Sequence, residues 1–261
     1  MPLIGSFKTL LLRGLLAGLI AGLLAATVGY FVGEPQIDAA IAIEEAAAAP
    51  VEHGQDTAQA PGNSHEDEEG PLVSRSGQKA GQFLALGLAG MAFGALFASA
   101  VNIARRFTNL SGPQLSLTSA VLAWAAIVAV PFFKYPATPP AVGDPESMNE
   151  RTWLWLAAVV LGLLAIAAAV AVYRALAVPD TLRLVAGVGA FVVVTTVGYV
   201  LLPGVNEVAD DFPATLLWHF RVASLAETTT LWASLGLAFA ALTEFASRRS
   251  TPVVDQVPTA G

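Results

Sequence analysis

The chain has 261 residues, of which 55% are apolar and 13% charged, about half the charged share of an ordinary soluble domain. With a mean hydropathy of +0.64 and a net charge of −7, this balance excludes a soluble enzyme, a nucleic-acid-binding module and a disordered scaffold. The lack of cysteine removes disulfides, thiolate metal sites and cysteine nucleophiles.

A helix crosses a bilayer with roughly 20 apolar residues, and six stretches qualify. They cover residues 10–32, 83–103, 115–133, 153–173, 184–202 and 222–243. Lipid offers the backbone no hydrogen-bond partner, so the predicted fold is all-α, a polytopic helical membrane bundle. A β-barrel would need alternation of period two, which the run from Leu161 to Val170 lacks. The first stretch is flanked by Lys8 and Arg13 like a secretory signal, but it exceeds the roughly 7–15 apolar residues of a signal core. It is expected to stay as a helix.

Basic residues set the expected orientation. With the N-terminus cytoplasmic, eight of the thirteen lie inside, and sixteen of the twenty acids lie outside. Both termini are then predicted to be cytoplasmic in a cell inner (plasma) membrane. The first outer segment opens with an amphipathic turn that sets Glu34, Asp38 and Glu45 on one face. Residues 46–76 read as a flexible acidic loop carrying His53 and His65, and 250–261 read as a disordered tail. The other outer loops are proline-rich, from Pro131 to Pro145 and from Leu202 to Pro213, which stiffens them.

Arg75, Arg151 and Arg221 each precede the next span, so a structural role is expected for all three. Phe93 and Phe239 each follow one of these arginines by eighteen residues, a weak repeat that suggests three related hairpins. The bland explanation is that apolar membrane helices look alike. Gly14, Gly18 and Gly22, with Gly90 and Gly94, are predicted to serve close helix packing.

The chemistry available is that of oxygen and imidazole ligands. His53, His65, Glu66 and Asp67 read most simply as a solvated charge run, and the alternative is a low-affinity antechamber for a divalent cation. Copper(I) is disfavoured, since Met1, Met91 and Met148 are the whole thioether complement. Glu227 is the most pointed residue. An ionisable group inside a span is costly and marks either a pathway or a bonded neighbour helix. No nucleotide or hydrolase fingerprint occurs, so neither an ATP-driven pump nor an enzyme is expected.

Three motifs occur in order along the chain: Gly33-Glu-Pro-Gln-Ile-Asp38, Pro131-Phe-Phe-Lys-Tyr-Pro136 running on through Pro139 to Pro145, and Leu202-Pro-Gly-Val-Asn-Glu207 followed by Phe212-Pro213 and Phe220-Arg-Val-Ala-Ser224. On these the chain resembles the CbtA family, the proposed cobalt transporter subunits of bacteria. The resemblance implies cobalt(II) as a transported substrate rather than a resident cofactor, uptake linked to cobalamin synthesis, and a small single-span CbtB-like partner with a histidine-rich segment. Under that reading the metal route is expected along Glu34, Asp38, Asp144, Asn206, Glu207 and Glu227, with His219 within a turn of Arg221. The outer mouth, where the three hairpins would meet, is its predicted centre. The competing reading is a non-transporting accessory membrane protein whose outer loops bind a partner, its acids pairing with the arginines to lock the hairpins.

Overall fold

The computed structural model describes residues 3, 5–48, 74–140, 142–143 and 147–249. Among them, six helical stretches are long and apolar enough to cross a membrane, and there is no strand. The helices are α1 (Phe7–Val28), α2 (Glu34–Ala48), α3 (Arg75–Ala104), α4 (Gly112–Trp124), α5 (Val130–Lys134), α6 (Met148–Ala175), α7 (Asp180–Leu201) and α8 (Ala214–Arg249). Serines mark three starts. Ser6 and Ser74 accept from the N–H groups of Thr9 and Gly77, and at Ser111 the Gln114 side chain reaches back to accept from the backbone N–H at 3.2 Å.

Two of the crossings contain a π-helical turn. Gly29–Gly33 joins α1 to α2, and Ala125–Ala129 joins α4 to α5. Each ends two residues before a proline, Pro35 and Pro131. A proline inside a helix donates no N–H and crowds the carbonyl four residues back, and the wider turn relieves both.

The heart of the bundle is α1 against α3, with α8 packed along α1 and touching α3 through aromatic side chains, and α4 against α8. Glycine decides the first contact. A Cβ on Gly14 or Gly18 would strike the backbone around Gly94 or Gly90, and one on Gly22 would strike that of Leu86. Only a missing side chain lets the backbones approach this closely in lipid, where apolar surface alone drives little association. Below this seam Phe97 and Phe239 meet edge-to-face at 5.5 Å, among fully buried Leu10, Val101 and Leu235. At that end Arg105 donates to the carbonyl of Gly5 at 3.0 Å.

The remaining two helices form a separate pair. α6 packs along α7 and reaches the bundle at the second π turn, where a Cβ on Gly162 would overlap the Ala126 backbone. Tyr199 of α7 donates to the Val130 carbonyl, and Lys134 returns a bond to the Tyr199 carbonyl at 2.9 Å. α7 and α8 are consecutive, yet they do not pack along each other. The architecture is therefore a four-helix core with a two-helix wing.

Candidate functional site

Two polar constellations lie at the α2 end of the bundle, on different faces of α8. The first is built where α1, α2 and α3 converge. Antiparallel packing of α1 on α3 carries the start of α3 to the start of α2, opposing Arg75 and Lys79 to Glu34 and Asp38. Arg75 Nη2 lies 2.5 Å from Glu34 Oε2, its Nε donates to Asp38 Oδ1 at 2.9 Å, and Lys79 Nζ donates to Asp38 Oδ2 at 2.9 Å. Lys79 Nζ also stands 3.7 Å from Glu34 Oε2. Glu34 is 7% exposed, so its charge is held almost wholly by protein.

Glu227 sits just inside this network. The Glu227 carboxylate and the Gln82 amide both lie against Gly29, the first residue of the π turn, where a Cβ would overlap them. Glu34 and Glu227 repel one another electrostatically. No cation pairs with Glu227 among the described residues, whereas Glu34 and Asp38 each have two and Glu207 has one. The Gln82 Oε1 atom is buried without a hydrogen bond. An uncompensated carboxylate thus stands beside an unsatisfied amide at a π turn, a combination that costs stability and is characteristic of functional positions.

The second constellation is a cavity of about 550 Å³ between the second π turn, α5, α6, α8 and the two proline-rich loops. Arg151 stands on the first turn of α6, with Nη1 3.0 Å from Glu207 Oε2 and Nη2 donating to Thr138 Oγ1 at 2.7 Å. The contact with Glu207 is an ion pair rather than a hydrogen bond, for Oε2 is buried with no N–H aimed at it. Gly143 faces this pair at φ +125°, where a Cβ would come within 2.7 Å of Arg151 Nη1. Tyr135 ties the loops together through a 2.7 Å bond to the Pro203 carbonyl. Burial pushes its phenol above the ordinary value, so it stays a donor. Arg221 donates to the Ala137 carbonyl from one helical turn above Ser224.

The candidate residues from sequence are therefore divided. Glu34, Asp38 and Glu227 come together, and Asn206 and Glu207 line the separate cavity. His219 is exposed on α8 and is not part of the cavity wall. Asp144, His53, His65, Glu66 and Asp67 lie outside the described residues. Among those described, no three His, Asp or Glu side chains gather as a ligand set. Sequence reasoning missed Lys79 and Gln82, although they follow Arg75 at four and seven residues and so share its helix face.

A family model described as "Probable cobalt transporter subunit (CbtA)" matches residues 7–244, nearly the whole chain. No curated protein and no solved structure matches it.

Proposed function

Because the chain belongs to the CbtA family of probable cobalt transporter subunits, we propose that it provides the membrane route for cobalt(II) in an uptake system serving cobalamin synthesis. The observation that carries this is Glu227, a carboxylate inside a membrane helix with no cation partner among the described residues. Its carboxylate, with the unbonded Gln82 Oε1 of the same junction, would offer the oxygen ligation that borderline and hard divalent cations accept. Glu34 and Asp38 precede it toward the α2 end. A cation entering there would exchange with Arg75 and Lys79 before reaching Glu227. In this reading both termini are cytoplasmic, the α2 end faces outward, and the partner is a small single-span CbtB-like subunit.

The second reading is the accessory protein, and one observation favours it: Glu34, Asp38 and Glu207 are all held by cations. Labelled cobalt uptake into vesicles separates the two, measured against nickel, with this chain alone and with the single-span partner. Cobalt uptake that depends on this chain and falls in Glu227→Gln, with normal folded yield, is the expected result. Uptake by the partner alone would assign the chain an accessory role.

A further inference from the structure

The cavity on the other face of α8 has the wrong charge for a cation route. The Arg151 charge is met by Glu207 at 3.0 Å, and its other nitrogen by Thr138. Arg221 lines the same space with one long hydrogen bond, Nε to the Ala137 carbonyl at 3.4 Å, and has no carboxylate partner among the described residues. Ser224 follows one turn later on the same face of α8, and Asn206 lines the cavity from its loop. Neither side chain is hydrogen-bonded among the described residues, so a guanidinium and two side chains able to donate share a space whose described carboxylate, Glu207, already stands against Arg151. Among the described residues, the remaining charge there is that of a guanidinium. A divalent cation would be repelled by it, whereas an oxyanion would complete it.

The rest of the wall indicates what the oxyanion is attached to. Beneath the polar rim lie Ile127 and Val128 of the π turn, Phe132 and Trp155. The rim stands where helices give way to proline-rich loops, and Tyr135 marks it as the level of the lipid headgroups. A guanidinium fork matches phosphate oxygens in pairs. We propose that this cavity binds a phosphate-bearing amphiphile, with Arg221, Ser224 and Asn206 on the oxyanion and Ile127, Phe132 and Trp155 against its apolar part. A phospholipid or free phosphate could supply the oxyanion, and the apolar floor favours the lipid. The site shares no residue with the Glu227 route, so each proposal can fail without the other.

The test titrates the detergent-purified chain with dioctanoyl phosphatidylglycerol, dioctanoylglycerol and inorganic phosphate, reading Trp fluorescence and thermal stability. Saturable binding of the phosphatidylglycerol is expected, with the phosphate-free dioctanoylglycerol much weaker. Arg221→Gln should weaken it about tenfold or more, as loss of a charged hydrogen-bonding partner does, and Ser224→Ala severalfold. If Arg221→Gln does not fold, Ser224→Ala and Asn206→Ala carry the test, and unchanged affinity in both overturns the proposal. Equal binding of dioctanoylglycerol would make the cavity merely apolar and overturn it too. Phosphate matching the lipid would keep the oxyanion site but overturn the amphiphile. Binding of neither lipid nor phosphate would overturn both.

Discussion

Charge partnership separates the acids of this protein into two kinds. Asp38 is half exposed and shares two cations, and surface pairs of this sort contribute about 0–1 kcal/mol. Glu207 is largely buried against a single arginine, so Glu207→Gln leaves the Arg151 charge unmet and should cost about 1–3 kcal/mol. Thermal unfolding in detergent should therefore rank Glu207→Gln well below Asp38→Asn. Transport should rank them the other way. Asp38→Asn should lower cobalt uptake with the folded yield intact, because Asp38 stands on the proposed approach to Glu227. Normal uptake in Asp38→Asn and Glu227→Gln together would remove the α1–α3–α8 junction as the route.

Helix packing has its own test in the glycines. Gly18 and Gly90 face each other across α1 and α3, and neither backbone can withdraw without moving a whole helix. Gly18→Val should cost about 1–3 kcal/mol or more through overpacking, visible as lost folded yield. Gly81 and Gly189 have open space where a Cβ would stand. Gly81→Ala and Gly189→Ala should be neutral or stabilising by about 0.5–1 kcal/mol, because alanine is the better helix former. Equal effects at Gly18 and Gly189 would mean that the seam does not hold the core. The prolines act at this scale too. Pro35 and Pro131 each follow a π turn, and the two turns border the two constellations, Gly29 beside Glu227 and Ile127 in the cavity wall.

For the whole molecule, the charge asymmetry predicts both termini inside and the long acidic loop outside. Tag accessibility at Gly261 and within residues 52–69 checks this, and an external C-terminus would contradict it. If that loop serves as an antechamber, deleting residues 52–69 should raise the apparent KM for metal and leave maximal uptake nearly intact. Complete loss of uptake with normal insertion would make the loop part of the route itself. The two-helix wing of α6 and α7 meets the core at the second π turn and α5, so its outward apolar faces, such as Val188, Val192 and Val197, are left for lipid or a partner.

That this is a bundle of six membrane-spanning helices is determined by the sequence alone, because the length of an apolar run and the cost of an unpaired backbone in lipid are local quantities. The family is legible for a similar reason, since its motifs lie contiguously at the loop ends. The glycine spacing on α1 and α3 likewise announces a close contact before any partner is known. The partners of the charges are another matter. Sequence puts Glu34, Glu207 and Glu227 in one series of candidates, yet the Glu227 junction and the Glu207 cavity lie on different faces of α8. Residues 227 and 228 are adjacent in the chain, but a helix turns about 100° per residue. Glu227 therefore reaches Gly29 and Gln82, while Thr228 lines the cavity. Which carboxylate is neutralised, and which arginine is left without one, depends on helix register and rotation across the bundle. Those are tertiary quantities, decided where backbones touch, and no spacing within one segment encodes them.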